Sequence, residues 1–202
     1  MRRLIASTFL TLDGVMQAPG GPGEDDDGAF ACGGWSVNYW DERMGEIMGA
    51  AMSVPFDLVL GRRTYDIFAA HWPHADEAEA KPFNDATKYV ASRGRPALGW
   101  ENSVLLDEDA AAGISALKQQ EGPELQVHGS GNLLQTLIRN DLVDEYRLWI
   151  FPVVVGSGKR LFAEGAIASG LTLVSSTVST TGVFIGTYQP AGELVTGSFA
   201  LE

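Results

Sequence analysis

Apolar residues recur along the chain with two alternating periods. Arg2–Leu10 is short, apolar and partly β-branched, and Asp13-Gly14 stops it, which predicts a buried strand entering a turn. From Asn38 the spacing changes: Trp40, Met44, Ile47, Met48 and Ala51 fall three and four residues apart, one face of a helix that Pro55 ends. Phe56–Leu60 reads as a second buried strand stopped by Gly61, followed by a short helix over Thr64–Ala70. Lys88–Ala91 and Ser103–Leu106 read as further strands. Ala110–Gln120 reads as a helix ended by Gly122-Pro123, and Leu125–His128 as a strand running into Gly129-Ser130-Gly131. Asn132 is placed to cap the next helix, whose apolar stripe is Leu133, Leu134, Leu137 and Ile138.

Repeated strand-then-helix order argues for an α/β fold, a mainly parallel central sheet with helices on both faces. The last third differs. Glu145–Val155, Leu171–Thr181 and Val183–Tyr188 are strand-like with few helical signals between them, and Thr181-Gly182 suggests a hairpin, so an antiparallel C-terminal edge is expected. Without a repeat or a long linker, the simplest division is a single domain over residues 1–190 and a tail over 191–202. Ala18–Gly34 is glycine-rich, carries the acidic run Glu24–Asp27, and reads as a mobile loop of the kind that forms lids and binding segments.

Charge narrows the partners. Among 202 residues, 14 Lys+Arg stand against 26 Asp+Glu, so 14 − 26 = −12. Such a surface repels phosphate backbones, and neither nucleic acid nor an anionic membrane is expected as a partner. Cys32 is the only cysteine; an internal disulfide framework and a multi-thiolate metal site are excluded, and a reducing cytoplasm is expected. Thr8, Thr11 and Asp13 interrupt the first apolar stretch before a signal-peptide core forms. The longest apolar run, Leu148–Val155, contains Pro152 and falls far short of the roughly 20 residues of a membrane helix.

Against that acidic background, local basic and glycine-rich clusters are informative. Ligands of open parallel sheets collect at the carboxyl ends of strands. Asp13-Gly14, Gly61-Arg62-Arg63-Thr64 and Gly129-Ser130-Gly131-Asn132 all follow predicted strands. Glycines there let backbone N–H groups approach an anion, and helices starting beyond them direct their positive ends at it. Arg62, Arg63, Arg93 and Arg95 add planar forks that grip phosphate. A diphosphate-bearing ligand fits this set; ordinary surface ion pairs for the arginines and a plain tight turn for Gly-Ser-Gly are the alternatives.

Other features carry less. Gly156-Ser157-Gly158-Lys159 lacks the remaining positions of a phosphate loop and reads as a turn. His71 and His74 flank Pro73 without further ligands, so no metal is expected. Cys32 has no partner base. Met44 and Met48 read as core. His128, at a strand end, reads as a packed or capping histidine before a catalyst.

Taken in order, Ser7–Gly14, Leu60-Gly61-Arg62-Arg63-Thr64-Tyr65, Lys88–Arg93, Val127–Leu133 and Pro152–Phe162 resemble the dihydrofolate-reductase-like superfamily. Within it the likeness is to the branch holding the reductase domain of bacterial riboflavin biosynthesis and its stand-alone relatives. The resemblance spans nearly the whole chain. It implies bound NADPH, with Gly61, Arg62, Arg63 and Thr64 at the cofactor's phosphates and Ser92 and Arg93 forming a second wall on the adenosine side. Gly129, Ser130, Gly131, Asn132 and Leu133 would cradle the diphosphate, and Thr8, Asp13 and Gly14 would lie towards the ribose and nicotinamide. It also raises the expectation of a homodimer, to which the apolar strand Leu148–Phe151 contributes.

A nicotinamide reductase needs alignment of the reacting atoms and a proton source. Folate reductases place a carboxylate on the first helix; here Asp41 is the first candidate and Glu46 the second, the alternative being that Asp41 and Glu42 only favour the helix dipole. The expected activity is NADPH-dependent reduction of a heteroaromatic, pyrimidine- or pteridine-like small molecule. The competing readings are a non-catalytic NADPH-binding or sensing protein and a purely structural oligomer-forming domain.

Overall fold

The computed structural model describes residues 1–106, 109–162 and 166–199. Its strands are β1 (Leu4–Thr11), β2 (Phe56–Gly61), β3 (Lys88–Ala91), β4 (Ser103–Leu105), β5 (Glu124–His128), β6 (Glu145–Phe151), β7 (Ser169–Val178) and β8 (Phe184–Glu193). They form a single sheet in the order β4-β3-β2-β5-β1-β6-β8-β7. The pairs from β4 through β6 are parallel, and β8 and β7 close the sheet with two antiparallel pairings. This is the expected fold: a mostly parallel sheet with an antiparallel C-terminal hairpin.

The helices are α1 (Glu42–Met52), α2 (Arg62–His71), α3 (Glu77–Asp85), α4 (Ala110–Gln119) and α5 (Gly131–Arg139). Continuous apolar strands require cover on both sides, because successive side chains point to opposite faces. Val59 joins Leu4, Ala6, Leu125 and Val127 under α4 and α5, whose Ile114, Leu117, Leu134 and Leu137 are buried. Leu58 and Leu60 point the other way and meet Tyr65 of α2 and Phe83 of α3. α1 seats Met44 against Trp149, Phe151, Val183 and Ile185, covering β6 and the strand beside it.

Several boundaries differ from the sequence expectation. β6 stops at Phe151 because Pro152 has no N–H to give a ladder. α2 starts at Arg62, directly after the strand, and α5 starts at Gly131 with Ser130 rather than Asn132 at its cap position. α3 was not expected: it holds Pro82, buries only Ala80 and Phe83, and depends on an Asp76 cap. β8 runs to Glu193, past the start of the tail, and residues 200–202 of that tail lie outside the described residues. The Ala18–Gly34 segment is tied down, with Gly34 N–H bonding Ala18 O at 2.8 Å, Trp35 Nε1 bonding Gln17 O at 2.8 Å and Ser36 Oγ bonding Pro19 O at 2.8 Å.

At the amino edge of the sheet, the Arg2 guanidinium is buried against Asp57, which also accepts from Thr87 N at 3.0 Å, while Arg2 Nε donates to Pro123 O at 2.6 Å. This pair joins β1, β2 and the turn before β5. Removing one partner of a buried pair strands the other charge, which costs about 3–5 kcal/mol. Arg2→Leu should therefore lower the stability measured by urea unfolding by about 3 kcal/mol or more, whereas an unchanged midpoint would show that the pair carries no structural load.

Candidate active site

Strands β1, β2, β3 and β5 end on one side of the sheet, and a cavity of about 1730 Å³ opens there. Ser7, Thr8, Gly61, Ala91 and His128 bring the strand ends to its wall. The two glycine-bearing turns meet directly: Gly61 N–H donates to Ser130 Oγ at 2.9 Å. Gly129 and Ser130 both hold positive φ, +68° and +63°. A serine in that region is strained by about 1 kcal/mol or more, and its bond to Gly61 holds it there. A Cβ at Gly129 would meet nothing within 4 Å, so its backbone lies open.

The helix ends sharpen the picture. α1, α3 and α4 each have an aspartate accepting from a first-turn amide, namely Asp41 from Met44 N at 2.8 Å, Asp76 from Ala78 N at 3.0 Å and Asp109 from Ala112 N at 3.0 Å. α2 and α5 have no side-chain cap, and both of their first turns line the cavity. Their free amides and positive dipole ends are available to an anion bound there.

The arginines at this edge are not equivalent. Arg62 is tied to Asp66, its Nε–H shared between the two carboxylate oxygens at 2.8 Å each. Arg63 pairs at 2.8 Å with Asp25, which also takes Lys159 at 2.7 Å, so the acidic loop reaches into the basic edge of the cavity. Among the described residues, Arg93 has no ion pair and is the uncommitted guanidinium of the wall.

The structure brings together Thr8, Gly61, Arg62, Arg63, Thr64, Ser92, Arg93 and Gly129 to Leu133 around one space. Asp13 and Gly14 are not among its lining residues. Asp13 accepts from Thr11 Oγ1 at 2.6 Å, Gly156 N at 2.8 Å and Val155 N at 3.2 Å, bonds that hold its carboxyl below the usual carboxylate range. Gly14 supplies the positive-φ turn beside it. Both lock the segment after β6 onto β1. Asp41 and Glu46 also stay outside. Asp41 caps α1 and accepts from Thr180 Oγ1 at 2.6 Å and Thr180 N at 2.7 Å. The Thr180 hydroxyl, followed by the Met44 amide, brings its pKa down to about 2. Glu46 is exposed and paired with Arg43 at 3.0 Å.

Sequence reasoning missed the aromatic wall. Trp72 stacks on Phe83 with centroids 3.9 Å apart and 9° between planes, Phe68 meets both edge-on, and all three line the cavity. Its one legible member is His128, whose ring lies 5.9 Å from Phe83 and 6.4 Å from Phe68. Its Nε2 is 2.8 Å from Gln126 Oε1. Burial, then the charge of Arg147, push the imidazole pKa down to about 4.

An α/β sheet with free amides and guanidinium groups at its carboxyl edge, opening beside an aromatic wall, defines an α/β protein with a ligand-sized cleft at the carboxyl ends of its parallel strands. The chain belongs to the RibD C-terminal domain family, whose model matches residues 2–185. It is 26% identical over 187 residues to the uncharacterized protein YyaP of Bacillus subtilis, covering 90% of this chain and 92% of the relative. The crystal structure of a putative riboflavin biosynthesis protein from Shewanella shares the fold with a TM-score of 0.65 at 23% identity, over 93% of this chain and 98% of that one. Dihydrofolate reductase from Enterococcus faecalis, complexed with NADP(H), superposes with a TM-score of 0.59 at 15% identity, over 94% and 96%.

The depressed His128 pKa has a signed consequence. Between pH 6.5 and about 4 the unfolded chain takes up a proton at this residue and the folded chain does not. Stability should thus fall as pH drops through that window and level off below it, by on the order of 2 kcal/mol once partial exposure is allowed for. In urea unfolding at several pH values, His128→Gln should flatten this part of the profile; an unchanged profile would place the proton uptake elsewhere.

Proposed function

We propose that the protein is an NADPH-dependent reductase of a small heteroaromatic molecule of pyrimidine or pteridine type. One observation carries this reading: a single cavity joins two uncapped helix N-termini and three arginines to an aromatic wall. Arg62 and Phe68 lie on the same helix, six residues and so about 9 Å of rise apart. The cavity therefore offers separate stretches for a dinucleotide and for a ring. The residues fit the cofactor: amides of Gly129 to Leu133 for the diphosphate, and Arg93, with Arg63 once parted from Asp25, for a 2′-phosphate. When bound, NADPH supplies a hydride. The chain's own part is to align the ring beside Thr8 and the strand ends and to exclude water. Family membership and the fold shared with a reductase that holds NADP(H) support this reading.

A second reading is favoured by the position of Asp41 and Glu46 outside the cavity: a non-catalytic NADPH-binding or sensing protein. Cofactor oxidation across a panel of pterins, pyrimidines and quinones separates the two, since a sensor binds NADPH without turning it over.

We further propose a cytoplasmic homodimer. β7 ends the sheet, its outer edge has no strand partner among the described residues, and it exposes Leu171, Leu173, Val174 and Val178. Sedimentation should give twice the chain mass, and Leu173→Lys with Val174→Lys should give the monomer; a monomeric wild type at high concentration would refute it.

For the cofactor, calorimetry should show NADPH binding about tenfold or more tightly than NADH, the worth of a charge-assisted contact. Arg93→Glu should abolish that preference. Equal affinities in the wild type would overturn the assignment.

A further inference from the structure

One titratable group on the cavity wall has no part in the reading above. Glu124, Gln126 and His128 occupy alternate positions of β5 and share one face of the sheet. Arg147 Nη1 donates to Glu124 Oε1 at 3.2 Å, and Gln126 Nε2 donates to the same oxygen at 2.6 Å. A carboxylate only accepts, so the Gln126 amide must turn its NH₂ to Glu124 and its carbonyl oxygen to His128. That oxygen in turn needs a donor, which places the imidazole proton on Nε2. Nδ1 is left as a lone pair with no protein partner among the described residues, and it is absent from the buried unsatisfied atoms. His128 lines the cavity, so an unbonded ring nitrogen that is not buried is open to a ligand there.

The surroundings define what it would accept from. Phe56, Phe68 and Phe83 surround the imidazole at 6.5, 6.4 and 5.9 Å, and Trp72 stacks behind Phe83. Aromatic faces and a neutral acceptor suit a flat, uncharged ligand with one edge donor. The carboxylates near β5 are spent: Glu124 on Gln126 and Arg147, Glu145 on Arg3 and Arg147.

We propose that His128 is the specificity-determining residue of the aromatic part of the cavity, its Nδ1 accepting from the ring N–H of an uncharged heteroaromatic lactam while Gln126, Glu124 and Arg147 hold its tautomer. Gln126 is thus a positioning residue that never touches the ligand. The inference rests on the proposed reductase reading only in assigning the ring to this part of the cavity.

Two measurements test it. Long-range proton–nitrogen NMR spectra at neutral pH should show His128 as one Nε2–H tautomer, and Gln126→Met should turn it into a mixture; a mixture in the wild type would overturn the relay. Calorimetry on the NADPH-treated protein should show quinazolinone binding about tenfold more tightly than its N-methyl derivative, the worth of one hydrogen bond. His128→Leu should remove that difference, and His128→Asn, which restores an acceptor, should recover part of it. Equal binding of the pair by the wild type, or a preference that survives His128→Leu, would refute the proposal. NADPH affinity is read in parallel: loss of cofactor binding with the lactam preference intact condemns the reductase reading and leaves this one standing.

Discussion

The hydrogen bond from Gly61 N–H to Ser130 Oγ is the joint on which the rest of the site depends. It connects the ends of β2 and β5, two strands that are neighbours in the sheet but 69 residues apart in sequence. By occupying the Ser130 hydroxyl, it leaves α5 without a side-chain cap, and by occupying the Gly61 amide it fixes where α2 begins. A serine in the left-handed region is a poor local choice, and it persists because a long-range contact rewards it.

Sheet register transmits that order to the other side of the cavity. Ser7 of β1 is in line with His128 on one side and Arg147 on the other, so the three strands deliver one row of polar groups. The hydrogen-bonded chain from Arg147 to His128 is thus a product of strand pairing rather than of loop conformation. Elements on rigid strands hold donor and acceptor positions more closely than loops do. The aromatic side chains contributed by α2 and α3 rest on the same sheet through Leu58, Leu60 and Val90.

How much of this is legible in the sequence follows from the range of each interaction. β1, β2 and β5, the helices after them and the Gly-Ser-Gly turn declare themselves by local period and punctuation, and the carboxyl edge of the cavity is assembled from those same residues. Trp72 and Phe83 come from separate elements and stack only in three dimensions, and α3 hides behind Pro82, which locally signals an end. Asp41 looks like an acid on the first helix, but its partner Thr180 is 139 residues away. Asp13 likewise finds its partner far along the chain, since Gly156 lies 143 residues further on. Contacts between distant segments leave no trace in periodicity.

The pairing of Asp25 with Arg63 and Lys159 gives the basic edge an internal rival for any incoming phosphate. Added electrolyte screens the attraction of a phosphate to Arg63 and loosens the carboxylate already sitting there. The two effects oppose each other. The affinity of this edge for any anion should consequently respond to ionic strength more shallowly than a tally of its guanidinium groups would suggest, because the carboxylate that competes for Arg63 and Lys159 is weakened by the same salt.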